Sequence, residues 1–277
     1  MNVSSFVQAA DSNGVVVLAG AGVSMGPPAC VPSWWDFNRQ ILETLKSIAL
    51  SDHEPENTGL VLPDPLRKTI AQLSLESLEL TDFSQIVSDA FAGPSWFELL
   101  DVLESDKPNE AHQLVARLAV GGKLRAILTT NFDTLFERAL TEAGLPFFVA
   151  TTLGTDPIDI PENSIVVLKL HGTLTERSSL IDLANQKHRG LPDKWVSWCS
   201  SVFESAATLV LGFSGRDLDL APDYLGLFKA AARILGPLRN LHCRREFWHG
   251  PHGPHAYDMR ASYHHTVVSK MVSTPSR

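Results

Sequence analysis

One stretch near the start of the chain decides how the rest of it folds: Val15-Val16-Val17-Leu18-Ala19-Gly20-Ala21-Gly22-Val23-Ser24. Its first five residues are apolar and mostly β-branched, which is typical of a strand buried on both faces in a parallel sheet. The run stops at two glycines and a serine. A loop of this kind at a strand end brings backbone N–H groups close to a phosphate. The stretch therefore predicts a parallel α/β sheet with a nucleotide site at the end of its first strand.

The glycine spacing alone is a weaker signal. Gly20, Gly22 and Gly26 give the pattern GxGxxxG, whereas the dinucleotide fingerprint is GxGxxG. A tight strand-to-helix turn without a ligand has the same appearance, so both interpretations stay open at this point.

Composition is that of an ordinary globular protein. The chain has 277 residues, 44% of them apolar and 19% charged, and its formal net charge is −8. The negative charge disfavours a general nucleic-acid binder, which usually carries a basic face. No apolar run approaches the roughly 20 residues of a membrane span, and no secretory signal is visible. Three scattered cysteines suit a reducing compartment, so we expect a cytoplasmic protein without a cysteine zinc site.

The end of the chain differs from the rest. Residues 237–277 hold six Lys/Arg and two Asp/Glu, a net charge of +4, so residues 1–236 carry −12. Six of the ten histidines lie in the same segment. We predict a main domain over 1–236 and an irregular, basic, histidine-rich tail over 237–277. A transition-metal site at its evenly spaced histidines (His249, His252 and His255) is the alternative, but histidine-rich ends need bind nothing, and we expect no metal.

Strand and helix patterns alternate after the first strand. Further apolar runs predict strands at 126–128, 147–149, 165–170 and 208–211. Helical patterns occur at 34–50 with Ser33 as N-cap, at 109–118, at 134–143 and at 221–235. Buried strands that alternate with helices predict a doubly wound, mostly parallel, Rossmann-like sheet. Amphipathic patterns over 66–105 predict a helical subdomain, inserted at about 45–120 between the first two strands.

Polar motifs follow three of the predicted strands. They are Thr129-Thr130-Asn131-Phe132-Asp133, Lys169-Leu170-His171-Gly172 and Leu211-Gly212-Phe213-Ser214-Gly215-Arg216-Asp217. In an open parallel sheet, residues just past the carboxyl ends of the strands face the ligand crevice. Asn131 offers a donor and an acceptor, and His171 can take a proton from water or a sugar hydroxyl near neutral pH. Convergence of four strand ends on one edge is stronger evidence than any single motif.

Each motif also has a simpler structural interpretation. Asn131 and Asp133 are residue types that cap helices and close turns, and for Asp133 a cap and a ribose contact are equally well supported. The glycine at 212 is typical of a plain left-handed turn.

Taken in order, the motifs resemble the sirtuin-like family of NAD-consuming enzymes over about residues 8–235. The matching stretches are Gly20-Ala21-Gly22-Val23-Ser24 (GAGxS), Pro108-Asn109-Glu110-Ala111-His112 (P-N-x-x-H, with a structural histidine), Thr130-Asn131-Phe132-Asp133 (T-x-N-x-D), His171-Gly172 and Gly212-Phe213-Ser214. The segment Pro32-Ser33-Trp34 and the forms Thr-Thr-Asn-Phe-Asp and Lys-Leu-His-Gly resemble a bacterial branch, several members of which hydrolyse NAD in antiphage defence.

The resemblance implies NAD as the substrate and assigns roles to the motifs. The residues expected to contact NAD are Gly20, Ala21, Gly22 and Ser24 at the diphosphate, Thr130 and Asp133 near the nicotinamide ribose, and Gly212 and Ser214 at the adenosine half. Asn131 would orient the ribose or the attacking water, and His171 would act as general base. No metal is implied.

Departures from the family bear on the reaction. Classical sirtuin deacylases carry two CxxC pairs, a glutamine where this chain has Thr130, and an arginine-bearing segment that Cys30-Val31-Pro32-Ser33-Trp34-Trp35 replaces here. These differences favour hydrolysis of the nicotinamide–ribose bond to nicotinamide and ADP-ribose. An NAD-dependent protein deacylase and a non-catalytic NAD or ADP-ribose sensor are the alternatives. The resemblance leaves open a homo-oligomer or a separately encoded defence partner, and neither a membrane nor nucleic acid is expected to bind.

Overall fold

The computed structural model describes residues 3–50, 64–74, 80–89, 95–187 and 189–214. These residues form two compact units, which are described separately. The first unit comprises the described residues of 3–31 and 103–214, and the second comprises those of 32–102. The predicted helix at 221–235 and the predicted tail at 237–277 lie outside the described residues.

Five strands, all parallel, make up the sheet in the described part of the first unit. They are β1 (Val15–Ala19), β2 (Leu124–Thr129), β3 (Phe147–Thr151), β4 (Ile165–Lys169) and β5 (Ala207–Leu211), in the spatial order β3-β4-β2-β1-β5. Every strand that the apolar runs predict is present, and three of them are longer than the sequence indicates. The predicted doubly wound parallel sheet is confirmed.

The helices alternate with the strands along the chain. They are α1 (Val3–Asn13), α2 (Trp34–Leu50), α3 (Asp64–Gln72), α4 (Leu80–Val87), α5 (Trp96–Leu99), α6 (Glu110–Val120), α7 (Leu135–Glu142), α8 (Ala184–Lys187) and α9 (Asp193–Ser205). The sequence patterns predict α2, α6 and α7 to within two residues at each end, whereas α1 and α9 are not predicted. None of the described helices is both long and apolar enough to cross a membrane.

Both faces of the sheet are covered, because successive side chains of a strand point to opposite sides. On one face, Val15 and Val17 belong to a buried cluster with residues of α6 and α7, and α1 packs against it. On the other face, Val16 and Leu18 belong to a cluster that includes Trp195 of α9. Strands buried in this way on both faces explain why their sequences are continuously apolar.

The second unit is helical. Its buried side chains include Phe37, Ile41, Leu45, Ile70, Phe83 and Trp96. The Ser33 Oγ accepts a hydrogen bond from the Asp36 N–H at 3.1 Å, which confirms Ser33 as the cap of α2. The unit begins at Pro32 and ends at Val102, whereas the predicted insert spans about 45–120. The difference arises because α6 packs on the sheet of the first unit.

The strands end in register along one edge of the sheet. Ala19 pairs with Thr129 on one side and with Leu211 on the other, and Thr129 pairs with Lys169. The polar motifs that follow β1, β2, β4 and β5 therefore leave the sheet at the same level. The predicted convergence of four strand ends on one edge is confirmed.

The packing of α9 makes a prediction about cysteine reactivity. Cys199 is buried in the cluster between α9 and the sheet, and burial raises the pKa of its thiol to about 12, whereas Cys30 is exposed. At pH 8 only about one Cys199 thiol in ten thousand would be ionised, and the thiolate is the reactive form. Iodoacetamide is therefore expected to modify Cys30 and spare Cys199 in the native protein, as measured by peptide mass spectrometry. A denatured sample, in which both react, is the control; equal labelling in the native protein would contradict this packing.

Candidate functional site

The first and last motifs touch each other backbone to backbone. The Gly20 N–H donates to the Leu211 carbonyl and the Gly22 N–H donates to the Gly212 carbonyl, each at 3.0 Å. A Cβ atom at Gly22 would lie 2.9 Å from Gly212 Cα, and one at Gly212, where φ is +59°, would lie 2.1 Å from the Val23 nitrogen. Glycine is therefore required at both positions by the contact between the two loops.

The backbone donors of the first loop are largely engaged within the protein. Besides the two glycines, the Val23 N–H donates to the Gly20 carbonyl and the Ser24 N–H donates to the Ala21 carbonyl, at 3.0 and 3.1 Å. Contact between this loop and a diphosphate thus requires other donors or a rearrangement of the loop. The diphosphate contacts of Gly20, Ala21, Gly22 and Ser24 stay a prediction.

Ser24 links the first motif to the second. Its side chain is fully buried, and its Oγ donates to Asp133 Oδ2 at 2.9 Å and accepts from Asn131 Nδ2 at 3.0 Å. A buried hydroxyl without partners costs about 1–3 kcal/mol, and here both its donor and an acceptor site are satisfied. The pairing holds the loop after β1 against the loop after β2.

His112 of α6 contacts the Ser24 side chain. Its Nε2 lies 3.3 Å from Ser24 Oγ, and its Nδ1 accepts from the Asn109 N–H at 3.3 Å and lies 2.8 Å from Asn109 Oδ1, as in a capping box. Asn109 caps α6 by accepting from the Ala111 N–H, and its amide nitrogen donates to the Val23 carbonyl at 2.8 Å. Burial lowers the pKa of His112 to about 4. These contacts agree with a structural rather than a catalytic histidine.

Asn131 and Asp133 are both buried at the end of β2. Asp133 Oδ1 accepts from the Leu135 N–H at 3.2 Å, which confirms that this carboxylate holds the start of α7. Asn131 Nδ2 donates to Asp133 Oδ2 at 3.2 Å as well as to Ser24. By contrast, Asn131 Oδ1 has no hydrogen-bond partner among the residues that the structure describes. This buried oxygen can accept a hydrogen bond from a water molecule or a sugar hydroxyl.

His171 lies at the neighbouring strand end. It is buried two residues beyond Lys169, as Asn131 lies two residues beyond Thr129, and these two strand residues are register partners. The His171 ring is 6.1 Å from the ring of Phe132, the residue after Asn131. The structure thus brings the second and third motifs to adjacent strand ends.

The glycine after His171 fixes the direction of that loop. Gly172 has a φ of +83°, and a Cβ there would lie 2.1 Å from the Ser179 carbonyl oxygen. The His171 carbonyl accepts from the Ile181 N–H at 2.8 Å, so residues 179–181 hold both sides of the turn.

The other residues predicted to contact NAD are less buried. Thr130 is partly buried, and its N–H donates to the Ala19 carbonyl at 3.1 Å. Gly212 and Ser214 are exposed, and residues 215–217 of the fourth motif lie outside the described residues. Their contacts with NAD stay a prediction.

Sequence reasoning missed two charged residues at this edge. Lys169 is fully buried and pairs with Glu137 of α7 at 3.2 Å. The sequence feature that could have indicated this pair is a lysine at the end of an otherwise apolar run. Glu104 accepts hydrogen bonds from the Thr134 N–H and hydroxyl at 3.3 and 2.7 Å. Burial raises the pKa of Glu104 despite these hydrogen bonds.

Over the described ranges, no group of three or more His, Cys, Asp or Glu side chains could hold a metal ion. The histidines at 249, 252 and 255 fall outside those ranges.

His112 gives the stability of the protein a pH dependence. Its pKa is about 4 when folded and near 6.5 when unfolded, so between these values the unfolded chain binds more protons. The contribution of neutral His112 to the free energy of unfolding is complete above pH 6.5. It falls by up to about 1.4 kcal/mol per pH unit toward pH 4. Urea unfolding from pH 4 to 7 should show a smaller loss on acidification for His112→Gln than for the wild type. The difference between the two curves isolates this group, and parallel curves would contradict its burial in neutral form.

Part of the chain that includes most of these motifs is similar to a known protein family. A family model described as a SIR2-like domain matches residues 125–232. No curated protein matches the chain. Among solved structures, the chain is similar to Sir2Tm bound to a propionylated peptide, with 18% identity, a TM-score of 0.37, and coverage of 82% of this chain and 83% of that chain. Residues 125–232, which carry the Asn131, His171 and Gly212 motifs, are therefore similar to a SIR2-like domain.

Proposed function

We propose that this chain is an NAD glycohydrolase, which binds NAD at the carboxyl edge of the sheet and hydrolyses the nicotinamide–ribose bond. The observation that carries the proposal is the placement of Asn131 and His171 at the same level beyond adjacent parallel strands, with Ser24 tying Asn131 to the first glycine motif. The SIR2-like match over residues 125–232 supports NAD as the dinucleotide.

The reaction needs few chemical groups. Nicotinamide is a good leaving group because its ring nitrogen is cationic in NAD, and its departure leaves positive charge on the ribose, as in other glycosyl cleavages. The C1′–N bond breaks with its electron pair going to the ring nitrogen, and a bond from C1′ to a water oxygen forms. The protein must hold the sugar, exclude bulk water and place one water molecule.

The hydrogen bonds of Asn131 suggest how it acts. Its amide nitrogen already donates to Ser24 and to Asp133, which leaves Oδ1 as the atom with capacity for a ligand. An acceptor in that position would orient the attacking water or a ribose hydroxyl through its O–H. Because the amide is held on its other side, its orientation is fixed before the substrate binds.

His171 is the base in this proposal. It takes the proton that the attacking water loses as the new C–O bond forms, a role that suits imidazole near neutral pH. Phe132 packs beside it, and Gly172 sets the turn that follows. Asp133 and Thr130 would contact the nicotinamide ribose, and Gly212 and Ser214 the adenosine half.

The biological role follows from the resemblance of the motifs rather than from the geometry. We propose that the chain acts in bacterial antiphage defence, in the cytoplasm, by consuming NAD. Control of such an activity would fall to self-assembly or to a separately encoded partner.

Substitution of the two proposed catalytic residues tests the assignment. His171→Ala and Asn131→Ala are each expected to lower the rate of nicotinamide release from NAD at least about 100-fold, the usual scale for loss of a positioned acid–base group. Chromatography of nicotinamide and ADP-ribose measures the rate, and circular dichroism checks the fold. Gln113→Ala, which removes an exposed hydrogen bond from α6 to Glu142, is the matched control and should keep the wild-type rate. Wild-type turnover in both site variants would defeat the assignment.

A second experiment separates hydrolysis from the alternatives. Purified protein given NAD without any acylated peptide is expected to release nicotinamide and ADP-ribose in equal amounts. Release that begins only when an acyl-lysine peptide is added would identify a deacylase. Calorimetric binding of NAD without product under both conditions would identify a sensor.

A further inference from the structure

A fully buried lysine connects the two strand ends that carry the proposed catalytic residues. Lys169 is the last residue of β4, and its side chain has 0% relative exposure. Its Nζ lies 3.2 Å from Glu137 Oε1 and also donates to the backbone carbonyl of Asp133. One ammonium group thus joins β4 to the loop after β2 and to the first turn of α7.

Stability alone does not account for this pair. Burial of an ammonium group costs several kcal/mol, and an ion pair repays it only when its geometry is good. Apolar side chains of similar volume in place of a buried pair are often neutral or stabilising. Such side chains would not, however, bind the Asp133 carbonyl. The feature that only the lysine provides is a fixed position of that carbonyl relative to β4.

The position of Asp133 matters because Asp133 holds Asn131. Its Oδ2 accepts from the Asn131 amide, while Lys169 ends β4 two residues before His171. Backbone hydrogen bonds also join these segments, from Leu170 to the Thr129 carbonyl and from Leu174 to the Phe132 carbonyl. Those bonds fix Thr129 and Phe132, and the lysine fixes the loop beyond them.

Glu137 makes the connection electrically neutral. Positive charge develops on the ribose in the proposed reaction, and an uncompensated ammonium group nearby would oppose it. With Glu137 at 3.2 Å the pair contributes no net charge. Geometry is then maintained without an electrostatic penalty on the transition state.

We propose that Lys169, neutralised by Glu137, is a positioning residue that holds Asn131 and His171 in register for the hydrolysis of NAD. This inference rests on the proposed function for its effect on rate. Its structural part, the coupling of the two loops, can be measured without any activity.

The test replaces both members of the pair. Lys169→Met alone would leave the Glu137 carboxylate buried and unpaired, so the variant of choice is K169M/E137Q, which removes both charges and keeps the volume. The control is K194M/D156N, which removes an exposed ion pair of 2.7 Å that also joins two distant segments of this unit. For each protein, kcat and KM for NAD, the unfolding temperature, and amide hydrogen exchange over 130–135 and 170–174 are measured.

The expected result is selective. In K169M/E137Q, kcat should fall by about 10- to 100-fold, because loss of positioning affects the chemical step, while KM for NAD changes by less than about threefold. Amide exchange should accelerate in both segments, with the unfolding temperature close to that of the wild type. The control should match the wild type in every measurement.

Other results overturn the inference. Wild-type kcat together with unchanged exchange would show that Lys169 does not position these loops. If the double variant fails to fold, K169Q/E137Q serves instead: it keeps polar side chains in this space, but glutamine is shorter than lysine and loses the bond to the Asp133 carbonyl, and wild-type kcat in that variant would equally overturn the inference. If the wild type does not hydrolyse NAD, the proposed function fails, and the exchange data alone decide: acceleration in both segments supports the coupling, and its absence refutes it.

Discussion

The register of the parallel sheet is the constraint on which the candidate site depends. Ala19, Thr129, Lys169 and Leu211 are register partners across four strands, so the loops that follow them start at one level. A one-residue slip in any strand would exchange its faces and displace its loop. The apolar contacts on both faces, with α6 and α7 on one side and α9 on the other, oppose such a slip.

Beyond that edge, polar contacts replace apolar ones. Ser24, Asn131 and Asp133 are buried and hydrogen-bond to one another, and His112 of α6 contacts Ser24. A buried polar network is stabilising only when its members are paired, since a single missing partner costs about 1–3 kcal/mol. The described network has one conspicuous exception, Asn131 Oδ1, and that exception lies where the proposed reaction needs an acceptor.

The sequence predicts the sheet well because strands buried on both faces are written as continuous apolar runs. It also predicts that the polar motifs lie at the strand ends, because each motif begins where an apolar run stops. Helix α9 was missed although Trp195, Cys199 and Phe203 recur every four residues, because its other positions are also partly apolar. The role of Lys169 was not predictable: its partners, Glu137 and the Asp133 carbonyl, are more than 30 residues away and become neighbours only in the fold. Likewise, the sequence pattern of Gly20 and Gly22 predicts a bound ligand, whereas in the structure the close approach of residues 212–213 leaves no space for a Cβ atom at either glycine.

The pairing of β1 with β5 has a consequence for how the protein comes into being. These neighbours are separated by about 190 residues of chain, so β1 keeps an open edge during most of synthesis. Contacts between such distant segments form late, because the intervening loop must close first. A nascent chain whose residues 207–214 are still inside the ribosome lacks the strand and loop that contact Gly20 and Gly22. Assembly of this edge of the sheet is thereby delayed until β5 has been translated.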